Sequence, residues 1–259
     1  YATVRGCALF LEHENALVAF AEHFLAATSL MGIDNLIVHL EEGTARPPRK
    51  MPPFFDSIRA GIVPSLPGVL TGYLAEFAKA GMHTYSEEQP LLTVHYEKTI
   101  DRPYSPDKFT VRPGAGVTFE ASLEYTHHQI PLERAFHQLG DDTAPIADAR
   151  SPALWLPLSL RRIFFGILGG FHGIKEDEYL LHSGDSLDPW LNGKYSNEAA
   201  RHRIVDLLGV LTLLGAPLTD AAVSVYKTGM RFEIDALTKL RNEKVIAPAR
   251  KQHVADVVH

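Results

Sequence analysis

The stretch Asn197-Glu198-Ala199-Ala200-Arg201-His202-Arg203-Ile204-Val205-Asp206-Leu207-Leu208-Gly209, running on to Leu213-Leu214-Gly215-Ala216-Pro217-Leu218, is the strongest helical pattern in the second half of the chain. It predicts a helix over Asn197 to Leu214. His202 and Asp206 stand four residues apart, one turn along the same face. A neutral imidazole and a carboxylate so placed can both reach one zinc ion, and a third ligand from another helix would leave a fourth position for water. The same spacing is that of an ordinary surface ion pair. Spacing alone leaves both readings open.

Working outward, Leu17, Phe20, Phe24, Leu25 and Leu30 recur at three- and four-residue intervals, which predicts one helix from Asn15 to Met31 with Gly32 at its C-terminal cap. Glu22 and His23 fall inside it. A carboxylate beside a metal-binding histidine can take a proton from water. Leu36 to Leu40 reads as a short strand, Glu41 to Pro53 as loop, Phe54 to Ile62 as a short helix and Val69 to Ala80 as a longer one ending before Gly81. Beyond a polar stretch at Thr84 to Gln89 the composition changes. Strands are expected at Leu91 to Glu97, Lys108 to Arg112 and Val117 to Tyr125, the last alternating Val117, Phe119, Ala121, Leu123 and Tyr125. Leu158 to Phe165 reads as helix until Gly169-Gly170, Val223 to Lys227 as strand and Phe232 to Arg241 as a closing helix. This is an α+β pattern, with domains expected at 1–86 and 87–259.

Bulk properties narrow the function. The chain has 259 residues, 46% of them hydrophobic and 22% charged, which fits a soluble globular protein. A net charge of -6 argues against nucleic acid, which requires a basic face. No apolar run reaches the length of a transmembrane segment, Ile204 to Leu214 being broken by Asp206 and Thr212. The start shows no signal-peptide pattern, and the single Cys7 cannot form an internal disulfide, so a reducing cytoplasm is the simplest location. Thirteen histidines motivate a search for metal ligands.

The helix quoted above closely resembles the signature helix of the UDP-3-O-acyl-N-acetylglucosamine deacetylases of lipid A synthesis. Ala21-Glu22-His23-Phe24-Leu25-Ala26-Ala27, followed by Gly32-Ile33-Asp34-Asn35, resembles that family's other metal-binding helix. Asp107-Lys108-Phe109 through His127 is similar to the opening strands of its second domain, and Ala149-Arg150-Ser151 to its Ala-Arg-Thr motif. The resemblance implies two α+β domains, each a β-sheet layered against helices, with the active site between them. It implies that His23, His202 and Asp206 bind zinc, although a His2Asp set also suits Fe2+. Glu22 would be the general base, the Ser151 hydroxyl would steady the oxyanion, and Arg203 would stand where the family has a substrate-contacting Lys. Ile163 to Gly170 would line the passage for the 3-O-acyl chain. The implied partner is an acylated UDP-sugar, and a monomer is expected.

The sequence departs from the family pattern at several places. Met230 stands where the family has a catalytic His, and Val210 where it has the Asp that orients that His. Neither can donate a proton to the departing amine. Pro152 replaces a Phe, and Glu42 to Met51 lacks an Asp-Gly-Ser pattern. The opening strands with their His-Ser-Gly turn have no counterpart before Tyr1, so the first domain reads as lacking its N-terminal part. Two functions follow: a deacetylase in which Glu22 also returns the proton to the amine, or an impaired paralogue that binds zinc and a nucleotide sugar without turnover.

Overall fold

The alternation of Val117, Phe119, Ala121 and Leu123 with Thr118, Glu120, Ser122 and Glu124 builds the central strand pairings of the second half. In the computed structural model the apolar set is buried and the polar set is half-buried or exposed. The structure describes residues 2–5, 8–13, 16–19, 21–39, 60–62, 69–84, 89–125, 130–152, 179–182 and 190–249. The chain has an α+β fold.

In chain order the strands of the first half are β1 (Ala2–Arg5), β2 (Ala8–His13), β3 (Ala16–Ala19) and β4 (Ala60–Ile62), and its helices are α1 (Glu22–Leu30) and α2 (Leu70–Ala80). The four strands form one sheet in that order, antiparallel except for the β3–β4 pair. Then follow β5 (Leu92–Val94), β6 (Lys98–Asp101), β7 (Lys108–Pro113), β8 (Val117–Tyr125), β9 (Ile130–Gln138), α3 (Ala144–Ala147), β10 (Ser151–Pro152) and β11 (Tyr179–Leu180). The rest is α4 (Glu198–Leu211) with a 3-10 turn at Thr212–Leu214, β12 (Leu218–Thr219), β13 (Ala221–Tyr226), α5 (Met230–Asn242) and β14 (Ile246–Pro248). A five-stranded sheet has the order β6-β7-β13-β8-β9, and β12-β5-β14 forms a smaller one. Among the described residues, no strand before residue 63 pairs with one after residue 89.

Several expectations agree with the structure. The helices at Val69 to Ala80, Asn197 to Leu214 and Phe232 to Arg241 are α2, α4 with its 3-10 turn, and α5. The strand at Val117 to Tyr125 has those bounds. Others need correction. The helix expected from Asn15 to Met31 is a strand followed by a helix: Ala16 to Ala19 pair with β2 and β4, and only Glu22–Leu30 is helical. The apolar tetrapeptide Ala16-Leu17-Val18-Ala19 satisfies either period, and the flanking strands decide it. Leu36 to His39 is irregular and exposed rather than a strand, and Ala60–Ile62 is a strand rather than the end of a helix. Cys7, Leu40 to Arg59 and Leu158 to Gly170 lie outside the described residues.

One hydrophobic core joins α1, α2, α4, α5 and the large sheet, from Leu9 to Ile246. Within it α4 is buried on every side: each residue from Glu198 to Leu211 except Arg201 is buried. A helix surrounded in this way cannot carry a solvated His–Asp pair, so the surface reading of His202 and Asp206 fails.

Candidate metal centre and cleft

Packing of α1 against α4 creates the centre. Phe24 anchors α1 through edge-on contacts with Tyr73 and Phe77 of α2, with ring centroids 5.9 and 5.5 Å apart. On α4, His202, Asp206 and Gly209, at i, i+4 and i+7, face α1. A β-carbon at Gly209 would overlap the Glu22 carbonyl oxygen and lie 2.9 Å from its carbon. The backbones can meet this closely because that position has no side chain. His23, the next residue, is thereby set against His202 and Asp206.

His23 Nε2 lies 3.3 Å from His202 Nε2 and 3.5 Å from Asp206 Oδ1, and His202 Nε2 is 3.4 Å from Asp206 Oδ1. The three atoms form a nearly equilateral triangle. Ligands bonded at about 2.0–2.1 Å and tetrahedral angles lie about 3.3–3.4 Å apart, whereas right-angled ligands at that length lie about 2.9 Å apart. The triangle therefore fits three corners of a tetrahedron. His202 Nδ1 donates to the Ala149 carbonyl over 2.8 Å. Because a carbonyl only accepts, the proton sits on Nδ1 and the Nε2 lone pair faces the triangle. These residues fit a divalent cation, and among the described residues they are the group of His and acidic side chains close enough to hold one.

Charges around the triangle are strongly shifted. Burial would raise Asp206, but Arg203 and His202 outweigh it and hold the carboxylate well below its ordinary range. Burial raises Glu22 despite the opposing influence of His23. For His23, burial acts downward, while the Asp206 bond and the Glu22 charge prevail and raise it. Glu22 is 5% exposed, and its Oε2 accepts the Leu9 backbone N–H over 3.0 Å.

Two further carboxylates, which the sequence reading did not single out, build the scaffold. Glu198 is fully buried and receives Arg150 Nε at 2.7 Å, the Arg150 backbone N–H at 3.2 Å and the Lys194 N–H at 2.6 Å. This bond set fixes Ala149-Arg150-Ser151, and with it the carbonyl that orients His202. Glu133 of β9 accepts the Trp190 indole N–H over 2.7 Å and the Ala200 N–H over 3.2 Å, supplying negative charge at the N-terminus of α4. For Glu198 the available signal was an acidic residue in the first turn of a helix, directly after Asn197; Glu133, on a strand, offered none.

Ser151, His202, Arg203, Asp206 and Met230 all line a cleft of about 330 Å³, whereas Glu22 and His23 are not among its lining residues. Val210 is fully buried and Met230 is 7% exposed, both within the hydrophobic core. A sequence profile of the UDP-3-O-acyl N-acetylglycosamine deacetylases matches residues 2–242. The chain belongs to this deacetylase family.

Its similarity to individual members of the deacetylase family is distant but extensive. It is 24% identical over 225 residues to the UDP-3-O-acyl-N-acetylglucosamine deacetylase of Xylella fastidiosa, covering 85% of this chain and 65% of that one. To the enzyme of the same name from Brucella ovis it is 22% identical over 230 residues, 88% of this chain and 72% of the relative. The chain thus spans about two thirds of the length of the deacetylases it matches. Among the described residues no helix is long and apolar enough to cross a membrane.

Proposed function

We propose that this chain is a zinc-dependent hydrolase that removes the N-acetyl group from UDP-3-O-acyl-N-acetylglucosamine in lipid A synthesis, as a cytoplasmic monomer. The observation that carries this reading is the triangle of His23, His202 and Asp206, with Glu22 adjoining it, in a member of this deacetylase family. The site would lie between domains at 1–86 and 87–259. Zinc bound there supplies a Lewis acid and lowers the pKa of water. His2Asp also suits Fe2+, but the near-tetrahedral spacing favours zinc.

The protein's residues then divide the remaining work. Glu22 takes a proton from the attacking water; burial raises this carboxyl toward neutrality, which suits a base that must later give the proton back. The water oxygen bonds to the acetyl carbon, and the Ser151 hydroxyl donates to the oxygen that gains charge. The carbon–nitrogen bond breaks, acetate leaves, and Glu22 returns its proton to the amine nitrogen. With Met230 and Val210 in place of the family's His and Asp, no other described residue is assigned to that last transfer.

Those two apolar residues favour a second reading, a paralogue that binds metal and nucleotide sugar without turnover. Retention of Glu22 beside the triangle favours the enzyme, because a structural zinc site normally has four protein ligands and needs no base. The test is metal analysis followed by turnover: protein stripped with a chelator and resupplied with Zn2+ or Fe2+ should bind one ion and recover acetate release. One bound ion without acetate release supports the paralogue. No ion bound at all contradicts both readings.

A further inference from the structure

Arg203, expected to contact substrate, lines the cleft, and most of its guanidinium is also engaged by the protein. It is 9% exposed and lies between two buried carboxylates. Nη2 donates to Asp206 Oδ2, and Nη1 donates to the Thr228 carbonyl over 3.2 Å. Nε lies 3.7 Å from Glu233 Oε1. Thr228 closes the group, its hydroxyl donating to the same Glu233 oxygen over 2.6 Å. Thr228 and Glu233 flank the start of α5, so the network ties the metal-facing side of α4 to the segment carrying Met230.

The two oxygens of Asp206 are therefore in different positions. Oδ1 belongs to the triangle with the histidines, while Oδ2 is held by Arg203. We propose that Arg203, braced by Glu233, is a positioning residue that restricts Asp206 to a single-oxygen contact with the bound metal. This inference rests on the metal reading above. A carboxylate free to turn can offer both oxygens to a cation; one pinned by a planar guanidinium cannot. The fourth position of the tetrahedron then stays open for water and substrate. Two features support a positional role. The pair is buried, where an apolar replacement would usually be neutral or stabilising, so stability alone does not account for it. Glu233 Oε2 and Arg203 Nε also have no hydrogen-bond partner among the described residues, so the group is arranged around Asp206 rather than for its own saturation.

The test compares wild type with Arg203→Lys and Glu233→Gln. Zn2+ affinity is measured by competition with a chromophoric chelator, the visible spectrum after Co2+ substitution is recorded, and thermal unfolding checks the fold. Lysine keeps the charge but loses the fork. Wild type should give the intense Co2+ bands of a four-coordinate site. Arg203→Lys should bind Zn2+ about 10- to 100-fold more weakly, with weaker Co2+ bands as Oδ2 enters the coordination sphere. Glu233→Gln should shift both readouts in the same direction by less, and it decides the matter if Arg203→Lys does not fold. Folded variants with the wild-type affinity and spectrum would overturn the proposal and leave the metal reading intact. A wild type that binds neither Zn2+ nor Co2+ would overturn both.

Discussion

Gly209 of α4 lies so close to Glu22 of α1 that a single methyl group at that position would overlap the Glu22 carbonyl. Both clashing partners are attached to backbone, so no side-chain rotation relieves the overlap. Gly209→Ala should force the helices apart, at a cost of at least about 1–3 kcal/mol. Separation carries His23 away from His202 and Asp206. A lowered melting temperature together with weakened Zn2+ binding is expected. Loss of stability with unchanged affinity would show that the close approach does not set the site.

Glu198 is the second structural determinant. Burial alone would raise its carboxyl, yet Arg150 and the backbone N–H groups of Lys194 and Arg150 outweigh it and hold it below the ordinary range. A depressed carboxylate contributes stability that is complete above its unfolded value, about 4.3 for Glu, and is lost as pH falls through the folded value. Acid unfolding should therefore have a component that Glu198→Ala removes. The variant itself should lose about 3–5 kcal/mol by leaving Arg150 buried and unpaired. Urea unfolding at neutral and acid pH checks both effects.

Reinstating the missing pair is a test of chemistry. Met230→His with Val210→Asp should raise the deacetylation rate by about 10²- to 10⁴-fold if a proton donor to the amine is the limiting deficiency. Val210→Asp alone should destabilise the protein, since the position is fully buried and its charge would have no partner. Steady-state acetate release from the double variant, compared with each single one, gives the answer.

Metal removal should also be visible in stability. An ion bound only by the folded chain stabilises it by mass action. Chelator treatment should lower the melting temperature, and Zn2+ should restore it. His202→Ala should unfold at the same temperature with and without Zn2+.

The sequence revealed the centre more fully than its surroundings. His202 and Asp206 could be paired from their spacing and Glu22-His23 stood out as a carboxylate beside a histidine, while resemblance joined the two places into one site. Spacing could not separate a metal site from a surface pair, because that depends on α4 being enclosed by α1, α5 and the large sheet. The start of α1 was misplaced because Ala16–Ala19 carries no period of its own and is defined by hydrogen bonds to β2 and β4. Strand β9 was not anticipated: Pro131 argues against a central strand, and β9 lies at the edge of its sheet, where proline is tolerated. Gly209 was legible in principle, seven residues beyond His202 and on the same face. Arg203 pointing to Asp206 and Glu233, rather than away from them, was not, since it depends on where α5 begins.

The most direct test of the central claim is acetate release from UDP-3-O-acyl-N-acetylglucosamine by the zinc-loaded protein, measured beside Glu22→Ala. Turnover by the wild type that the substitution abolishes is the predicted result. Zinc bound one to one with no acetate released, or release that persists at the wild-type rate without Glu22, would contradict the account.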